Sequence, residues 1–364
     1  MDSKMQRISR NNGLEEIRRL RLTYQGICDQ RFGQPEEVVR WLGAVQAQDF
    51  AGAKWAIGLR MKKSSDERVE KAFNEGKFLR THLLRPTLHF VAADDIRWML
   101  ALTSTRTRAL WNSYYRKTGI DAATFRRSND VLQVAMSGGN HLTRSEIRLE
   151  FKKARINSDG LRFGFLMSRA ELDAIICSGV KRGAQQTYAL LDERAPAQTQ
   201  LERGEALARL ALRYFTSHGP AATKDFAWWS GHPVGEARRA LESVRSHLHA
   251  KIVDGETYWF SSSDFTQGRR VPACFLLPNF DEYLVGYSDR SILFDGKYKG
   301  KLCPRPDILS HYTIVCDGEV AGTWKRTIGP GGVRVQTSPF QKLKNRQKSG
   351  LEMWITRYMK FLLR

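Results

Sequence analysis

Apolar residues recur along most of the chain at three- and four-residue steps, the spacing of an amphipathic helix. Leu14, Ile17, Leu20, Tyr24 and Ile27 lie on one such stripe and predict a helix over 14–29. Pro35 suits a first helical turn, and Glu36 and Glu37 favour its positive dipole end. That second helix carries Val38, Val39, Trp41 and Leu42 toward Gln46. Asp66 caps a third through Val69, Ala72 and Phe73, closed by Gly76. Phe78–Ala92 then reads as extended chain broken at Pro86, and Asp94 opens a helix over Ile96–Leu102.

A similar plan follows twice more. Phe125–Met136 is helical and stops at Gly138-Gly139. Thr143-Arg-Ser-Glu146 is a capping box that opens a short helix to Ala154. Leu161–Cys177 reads as a longer helix ended by Gly179, and Val180–Leu191 as a strand pair turning at Gly183. Further on, Leu201–Ser217, Thr223–Ser230 and Val234–Val244 read as three helices. The hairpin Lys251–Phe260 follows them, with Asp254-Gly255 as its turn.

Three helices followed by a hairpin is the winged-helix plan. The expected class is α+β: tandem winged-helix modules over 1–120, 121–200 and 201–270, then a small β-rich unit over 271–364. In that last unit Ala273–Leu277 is a strand, and His311–Cys316 and Glu319–Trp324 flank an Asp317-Gly318 turn. Val333–Val335 adds a strand and Leu351–Leu363 a terminal helix. Gln341–Lys348 is basic and polar, a solvated loop or a helix start facing a partner.

Charge narrows the partner. Lys and Arg total 59 against 38 Asp and Glu, a net +21. Residues 1–120 carry +9, residues 121–289 only +2, and residues 290–364 +10. A polyanion is the natural partner for both ends, because cationic side chains release the counterions of phosphates. No apolar run approaches the ~20 residues that span a bilayer. Met1–Arg7 is followed by no apolar segment of a secretory signal. The five cysteines, Cys28, Cys177, Cys274, Cys303 and Cys316, are odd in number and widely spaced. They read as scattered thiols of a reducing compartment, without zinc spacing. The expectation is a cytoplasmic, nucleoid-associated protein without metal or cofactor.

Candidate chemistry centres on Val45-Gln-Ala-Gln-Asp-Phe50. On a helix, Gln46 and Gln48 would point about 200° apart, whereas in extended chain they share a side. Two carboxamides aimed at one spot can orient a water through donors and acceptors, although neither is a base at neutral pH. The plainer reading is a pair of exposed or capping glutamines. Asp49 is either a base or the N-cap of the following segment. In Arg80–Val91, Thr87 and His89 share one face of a strand, and Arg80 and Arg85 suit phosphate contacts. His89 either donates to a phosphate or base, or is a packed side chain. No phosphate-binding G-x-x-x-x-G-K-[ST] or G-x-G-x-x-G motif occurs, and Gly329–Gly332 reads as a turn.

These blocks together resemble the AlkZ-type winged-helix DNA glycosylases. The resemblance rests on Val45–Asp49, on Thr81–Val91 with Asp94–Leu100, on Asp225-Phe-Ala-Trp-Trp-Ser-Gly231, on Leu277–Arg290 and on Asp317–Trp324. It does not extend to Gln341–Arg346. It implies a protein that binds double-stranded DNA and excises alkylated purines, interstrand crosslinks included, without a metal; a monomer is expected. It implies catalytic roles for Gln46 and Gln48, whose Gln-Ala-Gln spacing matches the family's Gln–apolar–Gln signature. Arg80, Arg85, Thr87 and His89 are the expected DNA-binding set. A winged-helix regulator without catalysis is the alternative, since the fold alone does not fix function.

Overall fold

The computed structural model describes residues 10–195, 197, 201–261, 271–302, 307–329 and 332–363. Met1–Arg7, Cys303 and Pro330-Gly331 lie outside the described residues. Helix α1 spans Arg10–Tyr24. An order of helix, strand, helix, helix, strand, strand follows: α2 (Pro35–Leu42), β1 (Val45–Gln46), α3 (Phe50–Gly58), α4 (Asp66–Asn74), β2 (Phe78–His82) and β3 (Leu88–Ala92). After α5 (Ile96–Lys117) the order recurs as α6 (Ala122–Met136), β4 (Leu142–Thr143), α7 (Arg144–Lys153), α8 (Leu161–Leu172), β5 (Ile176–Ser178) and β6 (Thr187–Leu190). A short α9 (Leu191–Arg194) precedes α10 (Arg203–His218), α11 (Thr223–Ser230), α12 (Val234–Val244), β7 (Leu248–Val253) and β8 (Glu256–Ser261). There an isolated bridge between Ala221 and Trp259 stands where the first strand would be. The rest is β9 (Cys274–Leu277), α13 (Glu282–Val285), β10 (Thr313–Cys316), β11 (Glu319–Gly329), β12 (Gly332–Pro339) and α14 (Asn345–Leu363). The chain is α+β, and its winged-helix order repeats along it.

All sheets are small and antiparallel, with strand orders β1-β3-β2, β4-β6-β5, β7-β8 and β12-β11-β10-β9. The capping box forms as written: Glu146 N donates to Thr143 Oγ1 at 3.3 Å and Thr143 N to Glu146 Oε2 at 2.7 Å. That reciprocal bonding fixes where α7 starts, and Ile147 and Phe151 on its inner face join Phe163, Leu166 and Ile176 in one core.

Several expected boundaries are corrected. The helix from Pro35 ends at Leu42, where Gly43 takes φ +82°, so 45–46 is strand. The helix from Leu161 ends at Leu172 because Ala174 adopts φ +58°, and 176–178 becomes β5. No glycine marks that stop, so a composition pattern misses it. Helix α5 runs on to Lys117 through a polar stretch. There Thr103 and Thr107 satisfy their hydroxyls on the carbonyls of Met99 and Thr103, at 2.8 and 3.1 Å. Helix α14 starts at Asn345, so the basic segment is partly helix, with Lys342, Lys344, Arg346 and Lys348 exposed. The reading of scattered thiols also changes. Cys274 and Cys316 face each other across β9 and β10 and form a disulfide. Cys28 and Cys177 are free, and burial pushes their thiols up to about 11 and about 12.

The described residues fall into two compact units. One contains the chain up to Leu42, Asp49–Val69 and everything from Ala208; the other contains Gly43–Gln48 and Glu70–Leu207. In the first, Trp55 of α3 stacks edge-on or tilted against Trp354, Tyr358 and Phe361 of α14 at 5.0–6.2 Å. Its indole donates to Leu276 O at 2.9 Å. Gly58 completes this contact, since a Cβ there would meet Phe361 at 2.5 Å. The same unit buries Arg60 against Asp281 through two 2.8 Å hydrogen bonds.

Candidate active site

The sheet β1-β3-β2 of the second unit carries the motif. Its register pairs Gln46 with His89 and Thr81 with His89, so these three side chains share one face. Residues 45–46 are thus strand rather than helix, and 48–49 bend into the start of α3. Gln46 is 7% exposed, whereas Gln48 is exposed to solvent. Both carboxamides are tied to the β2–β3 hairpin. Arg85 Nη2 donates to Gln46 Oε1 at 3.4 Å, and Leu88 N donates to Gln48 Oε1 at 3.3 Å. With its oxygen on Leu88 N, the Gln48 Nε2 group has no partner among the described residues. It is left to donate to water or substrate.

Arg80, expected at a phosphate, holds the motif's own main chain. Its Nε donates to Ala47 O at 2.9 Å and its Nη2 to Gln48 O at 3.4 Å. Its backbone N–H donates to Ser178 Oγ of β5 at 2.8 Å. Sequence reasoning missed this clamp, because the signal lies in strand pairing and not in spacing. Arg85 sits at the tip of the hairpin with φ +56°, a left-handed conformation that strains a non-glycine residue by about 1–3 kcal/mol. Thr87 Oγ1 closes the tip by donating to Leu84 O at 3.1 Å.

His89, weighed as a phosphate or base donor, is fully buried and presents no atom to the surface. Burial first, and the Arg85 charge second, hold its pKa well below the usual histidine range. Its Nδ1 carries the proton and donates to Thr87 O at 3.0 Å. The other nitrogen, Nε2, is then a neutral acceptor without a partner among the described residues. In the first unit, Asp49 takes the plainer of its two roles. Its Oδ1 accepts from Gly52 N at 3.0 Å and caps α3, and Tyr312 Oη donates to Oδ2 at 2.5 Å. A Cβ at Gly52 would lie 2.8 Å from Asn279 Oδ1 and 3.1 Å from the Asp49 carboxylate, so a larger residue there would crowd the cap.

The depressed histidines have a thermodynamic consequence. His89 and His218 are both fully buried; burial lowers the second as well, although Glu282 opposes it. Unfolded histidine titrates near ~6.5, so below that pH the unfolded chain binds protons that the folded chain refuses. Stability is therefore present above about pH 6.5 and falls as pH drops toward the folded values, by up to ~1.4 kcal/mol per pH unit and histidine. Urea midpoints measured from about pH 7.5 to about pH 5.5 should decline, and less steeply in His89→Gln. A flat profile would contradict the buried neutral state.

The recurring order of helices and small antiparallel sheets defines an α+β protein built on a repeated plan. The profile of the AlkZ-like family, described as DNA glycosylase AlkZ-like, matches residues 39–361. The chain belongs to the AlkZ-like DNA glycosylase family. It is 24% identical over 306 residues to the interstrand DNA cross-link repair glycosylase of Streptomyces sahachiroi, covering 79% of this chain and 81% of that protein. The solved structure of the Streptomyces sahachiroi DNA glycosylase AlkZ has the same fold, with a TM-score of 0.77 at 21% identity over 95% of this chain and 96% of that one. No helix among the described residues is long and apolar enough to cross a membrane.

Proposed function

We propose that the protein hydrolyses the N-glycosidic bond of N7-alkylguanine-type lesions in double-stranded DNA, interstrand crosslinks included, as a monomer. Gln46 and Gln48 orient the attacking water. The observation that carries this reading is the tethering of both carboxamides to one hairpin, which leaves Gln48 Nε2 as an open donor. Arg85 and Thr87 at the hairpin tip form the DNA-facing pair, while Arg80, which grips the motif's main chain, and the buried His89 support the hairpin from behind. The strained φ of Arg85 supports a functional tip, since strain of this kind gathers at binding sites.

The chemistry asks little of the protein. An N7-alkylated guanine is cationic and departs neutral, taking the C1′–N9 electron pair with it. Water then adds its oxygen to the oxocarbenium-like sugar and loses a proton to solvent. Neutral amides suffice because the leaving group needs no acid, and preorganised dipoles stabilise developing charge without reorganising. No lysine adjoins the motif to form a Schiff base, so the product is an abasic site in an uncut strand. The test is incubation with an N7-methylguanine duplex, followed by heating in alkali. Strand cleavage only after the alkali step supports the reading. Tight binding without base release would show a DNA-binding protein instead.

A further inference from the structure

A hollow of about 570 Å³ in the first unit lies between the 62–65 segment, the first turn of α4 and one side of α14. Five of its lining residues are cationic: Lys62, Lys63, Arg68, Arg357 and Lys360. Among the described residues that line it, none is acidic. Among the described residues, the side-chain hydrogen bonds of the two arginines go to neutral oxygens. Arg68 donates to the carbonyls of Lys63 and Gly33 and to Gln34 Oε1, at 2.8–2.9 Å. Arg357 donates to Gln30 Oε1, to Met61 O at 2.7 Å and to Gly58 O at 3.5 Å. Carbonyls satisfy hydrogen bonds but leave the positive charge uncompensated. Burial lowers the Arg357 pKa to about 10, the mark of a cation that lacks a counter-charge. The three lysines make no ion pair among the described residues, and Ser64 and Ser65 line the same space.

We propose that this hollow is a phosphate-binding site. Rigid half-buried guanidiniums with mobile ammonium groups around them suit an anion with several oxygens. The phosphate has two possible sources, the backbone of duplex DNA and a small phosphorylated ligand. The duplex source rests on DNA being the partner, as proposed above; the site itself does not.

The variant Lys62→Gln/Lys63→Gln/Lys360→Gln removes the three cations that hold no carbonyl, so the guanidinium framework stays. A second variant, Met353→Glu, keeps every cation and adds a carboxylate at the exposed rim, where Met353 is 58% exposed. Tripolyphosphate should raise the melting temperature of the full-length protein saturably, and both variants should lose that response. With an undamaged short duplex, the slope of log Kd against log salt should be shallower by about 2–3 in the triple variant, and Kd higher by about tenfold near 0.1 M salt. Loss of the tripolyphosphate response with an unchanged duplex slope assigns the small-ligand source. An unchanged response to both probes in both variants overturns the site. Neither readout involves base release, so failure of the glycosylase reading would be seen separately.

Discussion

Replacing Gln48 with alanine should lower the single-turnover rate of base release from an N7-methylguanine duplex by roughly 10²–10³, the usual cost of removing one preorganised dipole at developing charge. Gln46→Ala should fall in the same range. The two should not multiply in the double variant, because groups that position one water act as a unit. Duplex affinity should change by less than about threefold, since neither amide carries charge that phosphates would feel. Folding should survive in Gln48→Ala, because the exposed side chain gives up only one hydrogen bond, at Leu88 N. Gln46→Ala has a wider effect: Gln46 is nearly enclosed, and its loss frees an Arg85 donor. Gln48→Ala is thus the cleaner test of chemistry. Undiminished release in both variants would place catalysis elsewhere, whatever the family match.

A second large effect is expected on stability. Asp281→Ala should cost about 3–5 kcal/mol, the penalty for leaving a buried charge without its partner. Arg60 and Asp281 both have side chains without exposure, joined through two parallel hydrogen bonds. The remaining guanidinium donors go to Gln25 O, Ala56 O and Gln25 Oε1 at 2.7–3.0 Å, so every donor is used. Asp281 also caps α13 through Tyr283 N at 2.9 Å. Removing the carboxylate strips a charge, a bidentate pair and a cap at once. Replacing both residues by apolar ones, Arg60→Met/Asp281→Leu, should recover much of the loss, because no lone charge then remains buried. Urea unfolding of the two variants measures this. A single variant within about 1 kcal/mol of the parent would mean that water or another group replaces the carboxylate.

That pair also explains why the sequence resemblance was so readable. Two of its blocks hold fold rather than chemistry. In Leu277–Arg290, Asp281 meets Arg60 and Glu282 accepts from Trp229 Nε1 at 2.9 Å. In the Asp225–Gly231 block, Asp225 caps α11 and accepts from Ser288 Oγ at 2.7 Å. Buried polar groups admit few replacements, so they leave recognisable strings. The Gln-Ala-Gln string is legible for another reason: two uncharged amides beside a helix start have no propensity to explain them.

The linear pattern of apolar and polar positions was enough to determine the repeated helix-and-hairpin order, the capping box at Thr143, the hairpin turns at Asp254 and Asp317 and the cationic surplus at both ends. Each depends on neighbours a few residues apart, where backbone geometry and periodicity act directly. Only the folded chain decided that 45–46 is a strand, that Arg80 grips the carbonyls of Ala47 and Gln48, that His89 is enclosed and neutral, and that Cys274 meets Cys316. Those outcomes depend on pairing register and burial between residues tens of positions apart, and local sequence carries no energy term for either.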